Sequence, residues 1–237
     1  MHRFFLPNFQ QPALSADEAH HATHVLRVNT GDTVNVFDGK GHEAQARYGD
    51  GGRLTLLTQT TTPALACRIT LAQAVPKKSM DLIVQKATEL GVATIIPLLS
   101  ERTIVKLDED AKKIDRWREI ALESCKQCGN NWLPVIEPPR KAHQFLADTG
   151  KYDLKLIASL QPGALPLKRI LAELPALPQS ILILIGPEGD FTPAEISAAR
   201  GVGCRPLSLG PLVLRAETAA IYTLSILHHE LQVASHQ

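Results

Sequence analysis

The spacing of apolar residues changes near residue 73. Before it, TVNVF (33–37), EAQARY (43–48) and RLTLLTQ (53–59) alternate apolar and polar positions and are separated by the turn strings DGKG and GDGG. This predicts a small antiparallel barrel or meander. One helix interrupts it: Ser15 is placed to cap, Asp17 and Glu18 favour the N-terminal dipole, and the segment runs through His20, His21 and His24 toward Leu26. After residue 73, strand-like and helix-like runs alternate: helix 79–90, strand ATIIPLL (93–99), helix 111–128, strand LKLIAS (154–159), helix 165–174 and strand SILILI (180–185). That order predicts a largely parallel sheet covered by helices, an α/β domain over 73–237 beside a smaller domain over 1–72.

The helix at 79–90 carries Met80, Ile83, Ala87 and Leu90 on one face, with Gly91 placed to end it. The last helix, 216–233, is apolar around most of its circumference through Ile221, Leu224, Ile226, Leu227 and Leu231. It is expected to be buried on more than one side, in its own domain or against a second subunit.

Two glycine-proline loops, IGPEGDFTPAEI (185–196) and LGPLVLRAETAA (209–220), each connect a strand-like run to a helix-like one. Ligands of open α/β sheets sit at the C-terminal ends of strands, where helix N-termini present unpaired N–H groups. Gly186, Gly189 and Gly210 allow close backbone approach, and Pro187 and Pro211 stiffen the turns. Thr192, Pro193 and Glu195 form a capping-box signature at the end of the first loop. Tight strand-to-helix connections explain one such loop; two in one quarter of the chain favour a binding site.

No phosphate-cradling P-loop string is present, and Gly201-Val202-Gly203 lacks the third glycine and the context of a dinucleotide fingerprint. The net charge of +1 is spread evenly, six basic and six acidic side chains in residues 1–72 against nineteen and eighteen in the rest. A nucleic-acid partner would therefore be met by a local patch. No apolar run reaches membrane-spanning length and the first residues do not form a signal peptide, so a cytoplasmic protein is expected. Cys67, Cys125, Cys128 and Cys204 are read as reduced thiols; Cys125 and Cys128, three apart on a helix, are expected to fill core, not to bind metal.

The strings VQKATELGV (84–92), IGPEGDFT (185–192) and LGPLVLRAETAA (209–220), with RWREIALESCKQCGNN (116–131), MHRFFL and HHATHVLR, resemble the RsmE family of bacterial 16S ribosomal RNA uridine-N3 methyltransferases. The match runs from end to end of the chain. It implies S-adenosylmethionine as methyl donor and a homodimer acting on 16S rRNA of the 30S subunit. It also implies a SPOUT-type C-terminal domain with a trefoil knot, and a PUA-like β-barrel RNA-binding domain at the N-terminus. The cofactor is then expected on Gly186, Pro187, Glu188 and Gly189, on Leu209, Gly210, Leu214 and Arg215, and on Leu160 after the strand ending at 159. Two positions depart from the family's common strings: Asp190 stands where GPEGG has glycine, and Leu212 where GPRxLR has arginine.

Methylating N3 of uracil requires loss of the imino proton, which leaves an anion spread over O2, N3 and O4. A fixed guanidinium favours that anion, and Arg215 is the candidate. Glu217 is the candidate proton acceptor; alternatively Glu217 or Thr218 caps the last helix and Arg215 clamps Glu217, which would lower the carboxyl pKa and weaken it as a base. Arg3, His21, Arg27, Lys86 and Arg102 are the candidate RNA contacts, with solvated faces as the alternative because acidic residues 108–110 and 115 are interleaved among the neighbouring cations. His20 and His24 have metal-ligand spacing but lack a third ligand. Rival functions are methylation of a ribose 2′-OH or another RNA base, and RNA binding without catalysis.

Overall fold

The computed structural model describes residues 2–105, 111–150 and 152–234, so the expected acidic residues at 108–110 lie outside the described residues. The chain forms two units, Met1–Leu65 with Ala121–Leu133, and Ala66–Ile120 with Pro134–Gln237.

In the first unit, β1 (Arg3–Phe5) is followed by α1 (Ala16–His20), then by β2 (Thr33–Phe37), β3 (His42–Tyr48) and β4 (Leu54–Thr61). The expected meander is present, with β2, β3 and β4 antiparallel; β1 adds a fourth strand parallel to β2. Three residues are too few for alternation to reveal, so β1 was not legible in the pattern. The inward positions Phe4, Val34, Val36, Ala44, Ala46 and Leu54 form the core. Ser15 caps α1, accepting from the Glu18 N–H at 3.2 Å. The expected continuous helix changes at His21 into a π-helical turn, His21–Val25, after which Arg27 takes φ 56°.

Residues 121–133 also belong to this unit, an excursion that no local pattern signals and that polar contacts explain. The Arg3 guanidinium lies over the Phe37 ring at 4.3 Å, donates to the Asn130 carbonyl at 3.2 Å and to Asn131 Oδ1, and pairs with Glu43 at 3.4 Å. Asn131 Nδ2 donates to Thr62 Oγ1 at 2.7 Å, and Trp132 Nε1 to the Thr62 carbonyl at 3.0 Å. Lys126 pairs with both Glu18 and Glu123. Arg3→Ala is expected to destabilise the protein by about 2–4 kcal/mol, since it leaves a shielded acceptor cluster without its cation. Urea unfolding is the check, and a shift below about 0.5 kcal/mol would show the cluster to be no more than a surface arrangement.

The second unit opens with β5 (Arg68–Ala74), five residues before the expected change of period, so the sheet claims chain that the pattern had assigned to the first domain. It continues through α2 (Met80–Glu89), β6 (Thr94–Leu99), α3 (Ala111–Cys128, which from Ala121 onward belongs to the first unit), β7 (Val135–Ile136), β8 (Arg140–Lys141) and α4 (Ala142–Ala147). Then come β9 (Leu154–Ala158), α5 (Leu167–Ala172), β10 (Ser180–Ile185), α6 (Pro193–Gly201), β11 (Arg205–Leu207) and α7 (Ala216–Ala234). The strand order is β11-β9-β10-β5-β6-β7, with β8 also beside β6, and every pairing is parallel.

The apolar run of β10 is buried from Ile181 to Ile185 because helices cover both faces of a parallel sheet. Helix α7 packs against α2, α5 and β10, burying Ala220, Leu224 and Leu227 while leaving Tyr222 exposed. Cys125 is buried but Cys128 is exposed, so the expectation that both fill core is corrected: a three-residue step turned Cys128 to solvent. Burial pushes the thiols of Cys67 and Cys204 up to about 11 and that of Cys125 up to about 12, which keeps them protonated and unreactive.

Candidate functional site

Registers align the C-terminal ends of three strands. Leu184 lies opposite Ile157, and Leu207 opposite Ala158, so β9, β10 and β11 finish side by side. The chain reverses its direction of sheet growth here, since β10 inserts between β5 and β9 and β11 then adds outside β9. Crevices at such switch points are the usual ligand sites of open α/β sheets. A pocket of about 580 Å³, including its open mouth, occupies the position. Leu160 lines it after β9; Gly186, Pro187 and Glu188 line it after β10; Leu209, Gly210 and Leu214 line it after β11. Gly189 and Arg215, also expected at the cofactor, are not among its lining residues.

Each loop is held from several sides. The turn 187–190 closes through the Asp190 N–H donating to the Pro187 carbonyl at 2.9 Å, and Glu188 Oε1 accepts the Lys77 N–H at 2.8 Å. Arg102, expected at RNA, instead donates to the Gly189 carbonyl at 2.7 Å, its stem lying across the face that a Gly189 side chain would fill. The capping box is formed: Thr192 Oγ1 accepts the Glu195 N–H, and Glu195 Oε2 accepts the Thr192 N–H at 2.9 Å. The other Glu195 oxygen accepts the Glu101 N–H at 3.0 Å, a contact no local string signals. On the third loop, Gly210 sits at φ 102°, a conformation open to glycine and strained for other residues.

Arg215 is exposed and stands between the pocket-lining Leu214 and Ala216, just before α7. Among the described residues its guanidinium has no hydrogen-bond or ion-pair partner. Glu217 is half-buried, and its Oε2 accepts the Ser79 hydroxyl at 2.9 Å. The alternative in which Arg215 clamps Glu217 is therefore not what the structure contains: Ser79 holds that carboxylate. The apolar side chains Leu160, Leu212 and Val213 stand exposed around the mouth, Val213 at 78%.

Comparisons with known proteins fall on the same elements. A family model described as an RNA methyltransferase domain matches residues 63–228, and one described as an RNA methyltransferase PUA domain matches residues 14–58. The chain belongs to the RsmE family of RNA methyltransferases. It is 35% identical over 217 residues to the ribosomal RNA small subunit methyltransferase E of Synechocystis, covering 90% of this chain and 71% of that one. It is 30% identical to its counterpart in Bacillus subtilis, over 98% of both chains. The crystal structure of the methyltransferase E of Neisseria gonorrhoeae bound to S-adenosylmethionine superposes with a TM-score of 0.86 at 32% identity, covering 97% of each chain.

In this member of the RsmE family the candidate RNA residues differ in their freedom. Arg3 is only 12% exposed and serves the cluster at Asn131, and Lys86 pairs with Glu89 at 2.9 Å one turn along α2. With Arg102 hydrogen-bonded to Gly189, Arg27 is the candidate arginine or lysine whose side chain has neither a hydrogen-bond nor an ion-pair partner among the described residues; it is exposed just after the π-helical turn that opens with half-buried His21. His20 and His24 stack at 4.3 Å between ring centroids, and no metal-binding cluster occurs among the described residues. No helix among the described residues is long and apolar enough to cross a membrane.

Proposed function

We propose that this chain transfers a methyl group from S-adenosylmethionine to N3 of a uridine in 16S ribosomal RNA of the 30S subunit, as a cytoplasmic homodimer. The observation that carries this reading is the pocket built by both glycine-proline loops at the ends of parallel strands, in a chain alike over its length to a protein crystallised with S-adenosylmethionine. The pocket suits that cofactor: Leu160, Leu209 and Leu214 offer apolar walls for adenosine, and the backbone at Gly210 stands bare for close contact. When bound, the cofactor supplies an electrophilic methyl group on a sulfonium. Arg215 would stabilise the uracil anion, and Glu217, steered by Ser79, would take the imino proton directly or through water. The exposed Leu212, Val213 and Tyr222 suit a surface shared by two copies, and the trefoil knot is inferred with the SPOUT type. The N-terminal unit would hold RNA through Arg27 and His21.

The test is transfer of radiolabelled methyl to 30S subunits lacking N3-methyluridine, followed by nucleoside digestion. Label in N3-methyluridine supports the reading. Label in a 2′-O-methyl nucleoside or another base reassigns the acceptor, and RNA binding without transfer removes the catalytic role. Arg102 is assigned to the cofactor loop instead of RNA: Arg102→Ala is expected to raise the cofactor KM about five-fold, the worth of one exposed charged hydrogen bond, with kcat unchanged. An unaltered cofactor KM together with weaker RNA binding would return Arg102 to the RNA surface.

A further inference from the structure

The ionisable side chains that line the pocket are both acidic, Glu188 and Asp190. Glu188 is exposed and has one oxygen committed to the Lys77 N–H. Asp190 is half-buried and more firmly placed. Its backbone takes φ 60°, and its Oδ1 accepts the N–H of Phe191 at 2.7 Å. The carboxylate covers the face of Gly186 on the pocket wall, where an added Cβ would stand 3.0 Å from Asp190 Oδ1. A negative charge is thus fixed beside apolar walls, where field lines are poorly screened.

Resting on the cofactor reading above, we propose that Asp190 is a charge-specificity residue that favours the methyl donor over its demethylated product. Donor and product differ by one methyl group and one positive charge: the donor carries a sulfonium, S-adenosylhomocysteine a neutral thioether. Apolar walls respond to the methyl group alone, whereas a fixed carboxylate responds to the charge. The consequence is release of product in exchange for fresh donor, at the cost of a residue held in a backbone region that few non-glycine side chains adopt.

The test is calorimetric titration of the full-length protein with S-adenosylmethionine and, separately, S-adenosylhomocysteine. Asp190→Asn keeps the side-chain acceptor for the Phe191 N–H and tolerates positive φ, so it removes charge alone; Asp190→Gly relieves the backbone as well. Both variants are expected to bind the donor about five-fold more weakly while product affinity stays within about two-fold. Equal changes for both ligands, or none, would overturn the proposal and leave the cofactor reading standing. A wild-type protein that binds neither ligand would overturn both.

Discussion

Arg215→Ala is expected to lower methyl transfer by about 10²–10³-fold while leaving the fold and cofactor affinity nearly intact. The guanidinium is exposed, lacks a partner among the described residues and flanks the pocket without lining it. Its removal exposes no buried group, so unfolding should shift by less than about 0.5 kcal/mol. A guanidinium that contributes only when the uracil anion forms lowers kcat and kcat/KM together, and that equality is what single-turnover assays should show. Glu217→Gln is the companion measurement, because the amide can still accept the Ser79 hydroxyl but cannot take a proton. A loss with Arg215→Ala alone makes Arg215 the main catalytic group; comparable losses make the two a unit. Wild-type rates from the Arg215 variant would remove it from the mechanism.

Much of the scaffold around Arg215 follows from local patterns. After Ser180, β10 is apolar at every position from Ile181 to Ile185 because both faces are covered, and a uniform run between turn signals marks such a strand. The capping signature at 192–195 places the end of the first loop before any contact is known, since Thr192 and Glu195 satisfy each other's backbone donors. What was hidden depends on partners distant in sequence. Arg3 looks like a free cation near the N-terminus, and only its contacts with Asn130 and Asn131 show its guanidinium to be engaged within its own unit. Arg102 looks like one basic residue among several until its hydrogen bond to Gly189 is seen. The shift of β5 into the sheet has the same origin: Arg68–Ala74 pairs in register with β10 and β6, and alternation within the segment carries no sign of those partners.

The largest expected loss of stability at the site comes from Glu195→Ala. The residue is only 6% exposed, and its carboxylate accepts from three groups: the Thr192 N–H at 2.9 Å, the Thr192 hydroxyl at 3.1 Å and the Glu101 N–H at 3.0 Å. Alanine leaves those donors facing a small void, at a cost of about 3 kcal/mol, and unpins the start of α6 from the segment after β6. The same change frees the 186–191 loop at its C-terminal end, so the cofactor KM should rise along with the fall in unfolding free energy. Glu195→Gln discriminates between the two contacts. One amide oxygen can serve Thr192 or Glu101 but not both, and the NH2 that replaces the second oxygen faces a donor, so an intermediate loss of about 1–2 kcal/mol is expected. If Gln restored full stability, the Glu101 contact would carry no weight, and the loop would be held by the capping box alone.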